Sequence, residues 1–124
     1  MGYSIGIGQH QIRKEVDEDE TYIRNEVESE YHDDAPDNGM GDQENYRHPS
    51  YTGWYEFMED AKLNPKMWID EHPGMVHLSE KHLMQLNSVN AYDLEPINVE
   101  RLEWLKFWTK WALKNCETPV VVNS

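Results

Sequence analysis

This sequence has a single cysteine, few basic residues and no long hydrophobic run. Because Cys116 stands alone, an internal disulfide is excluded, and the sequence fits a reducing compartment. Cys116 falls on the apolar side of a predicted helix, so we expect a buried structural thiol rather than a nucleophile. No apolar stretch approaches the roughly 20 residues of a transmembrane helix, and no signal-peptide core is present. We therefore expect a soluble, cytosolic protein.

Basic residues are scarce: the sequence has 24 acidic residues and 11 lysines and arginines, which gives a net charge of −13. Such a surface repels duplex DNA and anionic membranes. Residues 1–50 carry thirteen acids against four bases, a net charge of −9, and the remaining residues carry −4. All five tryptophans lie in the second part. The acidic surface therefore belongs mainly to the first part and the core to the second. A concentrated acidic excess is suited to a basic partner.

The common enzyme signatures are also missing. The chain has no nucleophile elbow G-x-S-x-G, no phosphate-binding glycine loop and no dinucleotide-binding G-x-G-x-x-G after a strand. Among 24 acidic residues a pair of carboxylates can always be found, so such a pair is not evidence for a catalytic site. The sequence predicts a non-catalytic protein that needs no cofactor.

Metal-binding spacing is absent as well. His72, His77 and His82 are spaced by five residues, which suits neither one helix face nor an H-E-x-x-H site. The aspartates of residues 33–42 lack the order and the closing glutamate of a calcium loop. We expect surface or locally bonded histidines, a solvated acidic loop and no metal.

The strongest structural signal is the helical run Asn98–Cys116, with Asn98 as its predicted N-cap. Trp104, Trp108 and Trp111 recur at helical spacing on one side, and apolar neighbours widen that arc to more than half the circumference. A helix this apolar must be nearly surrounded by protein. The rest of the chain is therefore expected to pack around it.

The first 31 residues read as an antiparallel hairpin. Residues 3–13 and 21–31 alternate between apolar and polar positions, and the acids of residues 15–20 form the turn between them. Ile23, Val27 and Tyr31 are predicted to face the helices, with the opposite face in water. The terminal run Pro119–Val122 is a natural third strand.

Between hairpin and final helix, residues 33–49 read as a long acidic loop. Ser50 is the predicted cap of a helix over residues 51–62, and Ser79 that of a helix to Val89. The segment His72–Gly74 reads as a turn. The predicted fold is α+β, a small antiparallel sheet packed on about three helices, in a single domain over residues 1–124. Its parts are the hairpin 1–32, the acidic loop 33–49 and the helical core 50–124 with its C-terminal strand.

Arg101 is the most unusual position, because it falls at the middle of the apolar arc, where a charge is costly unless it is paired or faces a cavity. One interpretation is structural, with pairing to Glu95 or Asp70. The other is a guanidinium directed at the phosphate or carboxylate of a nucleotide-like ligand in a tryptophan-lined pocket near a helix start. The predicted ligand-binding residues are Arg47, His48, Tyr51, Trp54, Arg101 and Trp104.

Two segments, PSYTGWYEFMEDAKL running on to EHPGMVHL, and WLKFWTKWALKNCETPVVVNS, resemble small uncharacterised proteins of tailed bacteriophages. The matching positions are Pro49–Trp54, His72–Gly74 and the Trp108, Trp111, Asn115, Cys116, Pro119 and Asn123–Ser124 pattern. Met75 stands where cysteine is expected, and the acidic residues 15–45 are particular to this sequence. The resemblance implies a phage accessory protein in the host bacterial cytoplasm, of a class that often opposes host defences. It implies no activity.

Two functional hypotheses follow. The first is a counter-defence protein that binds and sequesters a small nucleotide-type immune signalling molecule. The alternative is an acidic inhibitor that occupies a basic surface of a host defence protein. Exposed aromatics and two sheet edges favour a homo-oligomer in either case. The partner-binding residues of the alternative are Glu15, Asp17, Glu18, Asp19 and Glu20.

Overall fold

The structure is a computed structural model that describes residues 3–69 and 74–124. It has the predicted α+β class. The strands are β1 (Ile5–Asp17), β2 (Glu20–Val27), β3 (Tyr46–Arg47), β4 (Gly74–His77) and β5 (Pro119–Asn123). The helices are α1 (Tyr51–Asp60), α2 (Pro65–Trp68), α3 (Glu80–Asn87) and α4 (Pro96–Asn115), with a 3₁₀ turn at Ala91–Asp93. The described residues thus form four α-helices, against about three predicted.

The sheet is antiparallel, with strand order β2-β1-β5-β4, and β3 pairs with the beginning of β1. The predicted C-terminal strand is confirmed as β5, and it lies inside the sheet between β1 and β4. Strand β4 was not predicted. It begins at Gly74, the last residue of the predicted turn, whereas His72 and Pro73 lie outside the described residues.

Helix α4 packs against the sheet and α3, and its apolar arc is covered as predicted. Trp104, Leu105, Trp108 and Ala112 are fully buried, and α1 contributes Trp54 to the same core. Along β5 the side chains alternate, so Val121 joins this core while Val120 and Val122 form a smaller cluster on the other face of the sheet.

The predicted N-cap of α4 is wrong by three residues, since Glu95 and not Asn98 precedes the helix. The helix begins at Pro96, because the fixed backbone angle of proline suits the first helical position and its missing N–H costs nothing there. Asn98 is therefore inside the first turn. Its side chain is buried and donates a 2.8 Å hydrogen bond to the Asp60 carboxylate on α1.

The hairpin is longer and less covered than predicted. Strand pairing continues to Asp17 and Glu20, so only Glu18 and Asp19 form the turn. Of the three side chains predicted to face the helices, Ile23 is 70% exposed and Tyr31, which lies beyond the end of β2, is 59% exposed. Val27 is buried, but in the smaller cluster on the other face of the sheet, with Val120 and Val122. The predicted orientation is therefore wrong, because by alternation Ile23 shares that other face with Val27. We call residues 11–25 the hairpin arm.

The acidic loop is not irregular throughout. It includes β3, and Asn45 within it is fully buried. Asp37, one of the aspartates considered for calcium, accepts hydrogen bonds from the N–H groups of Gly39 and Gly41 through Oδ1. Both glycines have positive φ angles, near 86° and 85°, which favour glycine. The aspartate therefore stabilises a tight turn.

Candidate functional site

Four of the six predicted ligand-binding residues do come together, at the contact between α1, α4 and the end of β3. Two of them are core residues. The rings of Trp54 and Trp104 are 1% and 0% exposed, and they pack edge to face with centroids 6.4 Å apart. The indole N–H of Trp104 donates to the Glu44 carbonyl at 3.0 Å. Neither ring leaves a face on which a base could stack.

Arg47 joins the loop after the hairpin to α4. Its side chain is only 5% exposed, and one guanidinium nitrogen lies 2.8 Å from the Glu100 carboxylate. The guanidinium carbon also sits 5.9 Å from the centre of the Trp104 ring, within cation–π range. A buried charge requires such partners. This geometry assigns Arg47 a structural role.

Arg101 connects α4 to α1. It donates to the Gly53 carbonyl at 3.1 Å and to Asn98 Oδ1 at 3.0 Å. Burial, and then the nearby positive charge of Arg47, lowers the pKa of Arg101. Among the described residues, its hydrogen-bond partners are thus a backbone carbonyl of α1 and an amide, and Glu95 is not one of them. Asp70 lies outside the described residues.

The remaining two predicted residues, Tyr51 and His48, are exposed. Tyr51 packs its ring against Tyr3, with centroids 5.1 Å apart, and against Tyr55 at 4.8 Å. His48 borders a cavity on another part of the surface. Of the six residues, His48 is the one that lines this cavity.

The cavity beside His48 has a volume of about 430 Å³, within the usual range for small-ligand sites. The hairpin arm contributes Arg13 and Arg24, while Ser4 and Ser124 add hydroxyl groups and Tyr46 an aromatic ring. Arg13 and Arg24 are directly opposite in the register of β1 and β2. Like charges in that arrangement repel. Glu15 and Glu26 offset them only loosely, at distances of 3.5–3.9 Å.

The hairpin arm carries the predicted partner-binding acids. Asp17, Glu18, Asp19 and Glu20 surround its turn, with Glu15 just before them on β1. Exposed apolar side chains accompany these acids: Ile12 is 66%, Val16 76% and Ile23 70% exposed. The register places all three on one face of the arm, since Ile12 is opposite Asn25, Lys14 opposite Ile23 and Val16 opposite Thr21. Sequence reasoning found the alternation but assigned that face to the core.

Of the three histidines considered as metal ligands, the two within the described residues, His77 and His82, belong to no group that could hold a metal. His82 is buried, accepts a hydrogen bond from the Ser79 N–H at Nδ1, and lies with Nε2 2.7 Å from the Met67 carbonyl. His77 is exposed, and His72 lies outside the described residues. Across residues 3–69 and 74–124, no three His, Cys, Asp or Glu side chains are grouped to hold a metal.

Cys116 is partly buried beside the main core. Burial is the main reason that the pKa of its thiol is raised, with Glu30 and Glu28 adding to the effect. A raised pKa leaves little thiolate at neutral pH, so this thiol is a poor nucleophile.

No family model, curated protein or solved structure matches this chain. Function must therefore be inferred from its own residues and geometry. None of the helices in the described part of the chain has the length and apolar character needed to cross a membrane.

Proposed function

We propose that this chain is a non-catalytic phage accessory protein that acts in the host cytoplasm by binding a basic surface of a host protein through the hairpin arm. The phage origin and counter-defence role rest on the sequence resemblance. The binding mode rests on one observation, the projecting arm with acids around its turn and an exposed apolar face.

Both the exposed apolar face and the acidic turn of the hairpin arm favour a protein partner. Contiguous exposed apolar surface marks interaction sites on soluble proteins. Ile12, Val16 and Ile23 are exposed on one face of a ribbon two strands wide, around Lys14. The four consecutive acids at the turn create a local negative field without an intervening base. Complementary charge steers association, and apolar contact then slows dissociation.

Neutralising the turn is expected to slow association with the host partner by about tenfold or more at low salt, because rim charges act mainly on the association rate. The variant is Asp17→Asn, Glu18→Gln, Asp19→Asn and Glu20→Gln together. The partner is first isolated by affinity purification from host cells, and surface plasmon resonance then measures its association with each purified variant. Added salt should slow association of the native protein and have little effect on the variant.

The matched control is Glu80→Gln combined with Glu103→Gln and Glu117→Gln, three exposed acids distant in sequence from the arm. We expect these changes to leave association within about twofold of native. If the turn variant and the control behave alike, the arm does not guide binding and the proposal fails.

A second candidate, sequestration of a small nucleotide-type signalling molecule, is supported by the cavity beside His48. Two opposed arginines, hydroxyl groups and an aromatic ring suit a ligand with a phosphate and a flat apolar part. The net charge of −13 opposes the approach of an anion, which is why this candidate ranks second.

For this candidate we expect that calorimetry with cyclic and ADP-ribose-derived nucleotides detects binding, and that Arg13→Gln weakens it by about tenfold, since a charge-assisted bond is lost. Lys14→Gln removes the same charge one residue away, outside the cavity lining, and serves as the control. The candidate is abandoned if no nucleotide of the panel releases heat.

A further inference from the structure

The outer edge of β2 is the longest uncovered strand edge in the described sheet. β2 ends the strand order, and none of the strands within residues 3–69 and 74–124 pairs with its outer side. It is eight residues long, whereas β4 at the other end has four. An unpaired edge offers a row of backbone donors and acceptors to another strand.

β2 carries charges at Glu20, Arg24 and Glu26, but it lacks two other features that usually block such pairing. Its sequence ETYIRNEV contains no proline and no lysine, and Thr21, Tyr22 and Ile23 are residue types that favour strands. The side chains from Glu20 to Asn25 are all exposed. The edge is therefore both accessible and suited to strand addition.

We propose that β2 pairs antiparallel with β2 of a second copy of this chain, about a two-fold axis through Tyr22. In that register, residues equally far before and after Tyr22 face each other. Glu20 of each copy then lies opposite Arg24 of the other copy. Thr21 lies opposite Ile23, and the two Tyr22 rings meet at the axis. Opposite charges and aromatic rings in directly opposed positions stabilise strand pairs.

Neighbouring symmetric registers are less favourable. An axis through Ile23 places Glu20 opposite Glu26, and an axis through Arg24 opposes two arginines. An axis through Asn25 pairs Arg24 with Glu26, but this register moves the buried Val27 into the pairing. The Tyr22 register alone combines complementary charge with exposed residues.

This inference goes beyond the proposed function and does not depend on it. The dimer covers the outer edge of β2, and on the apolar face it places Ile23 opposite Thr21 of the second copy. Ile12 and Val16 on β1, and the acids at the turn itself, stay free. A dimer would present two such surfaces to a partner.

The test is sedimentation velocity of the full chain at protein concentrations up to about 500 µM, because a short strand pairing gives a weak interface. We expect a monomer–dimer equilibrium. Glu20→Arg and Arg24→Glu should each weaken dimerisation by about tenfold, since each opposes like charges twice. The double variant Glu20→Arg, Arg24→Glu restores the pairs and should restore the dimer. Lys14→Glu, a charge reversal on β1, is the control and should leave dimerisation unchanged.

A second measurement fixes the axis. In a Cys116→Ser background, Tyr22→Cys places two thiols directly opposite each other, at a backbone separation that allows a disulfide. We expect a covalent dimer under mild oxidation, and much less from Glu20→Cys. A monomer at every concentration overturns the proposal. So does a dimer that both single charge reversals leave intact, or one that the double variant fails to restore.

Discussion

Replacing Asn45 with alanine is expected to lower the free energy of unfolding by about 3–5 kcal/mol, because it leaves one buried and two partly buried backbone groups without their partner. The Asn45 side chain donates to the carbonyls of Ile7 and Glu28 at 2.8 and 2.7 Å, and accepts from the Glu30 N–H at 2.9 Å. It thus ties β1, the end of β2 and the acidic loop together. Urea denaturation followed by circular dichroism measures the change.

Asn25→Ala is the matched control. Asn25 is exposed on the hairpin arm, and its side-chain carbonyl oxygen lies 2.9 Å from the His10 ring. An exposed hydrogen bond contributes little, so we expect a loss below about 1 kcal/mol. Equal losses in the two variants would show that Asn45 does not organise this part of the fold.

Replacing Trp104 with alanine is expected to cost about 3–5 kcal/mol, a large fraction of the stability of a small domain. The substitution empties a fully buried site, removes the hydrogen bond to Glu44, and takes away the ring beneath Arg47. Trp104→Phe keeps most of the packing and loses the hydrogen bond, so its cost should be clearly smaller. Thermal and urea unfolding of the three proteins measure both.

This prediction also separates the two interpretations of Trp104. If the ring contacts a ligand, Trp104→Ala should fold normally and lose binding. If the ring is part of the core, Trp104→Ala should lose stability in the absence of any ligand. A native-like unfolding midpoint for Trp104→Ala would contradict the core assignment.

The local features of the fold were predictable because neighbouring residues determine them. Ser50 accepts a hydrogen bond from the Gly53 N–H at 3.0 Å, as expected for an N-cap, and α1 begins at the next residue. Ser79 likewise precedes α3. The run Pro119–Val122 gave β5, since three consecutive valines favour a strand buried on both faces.

The hairpin arm could not be predicted in the same way. Alternation identifies which residues share a face, and Ile23 and Val27 do share one. It does not say how far the covering elements reach, and the structure leaves Ile23 exposed while Val27 is buried. Whether an alternating strand packs on the core or projects into solvent depends on distant residues.

The predicted ligand site depends on distant residues too. Arg47 pairs with Glu100, which is 53 positions away, and Arg101 reaches a carbonyl 48 positions away. No local pattern distinguishes an arginine that binds a ligand from one that finds such partners. Asn45 was missed for the same reason, because its three partners come from two segments that are distant in sequence, Ile7 on β1 and Glu28 and Glu30 after β2.

The most direct test of the central claim, that the hairpin arm is the functional surface, is site-specific photo-crosslinking in host cells. A photoreactive amino acid replaces Val16 on the arm in one variant and Tyr92, which is 99% exposed on the 3₁₀ turn, in another. We predict that the Val16 variant forms a covalent adduct with one host protein, that the adduct disappears when the acids of the turn are neutralised, and that the Tyr92 variant forms none. Adducts from Tyr92 alone, or from Val16 only to a second copy of this chain, would contradict the proposed function.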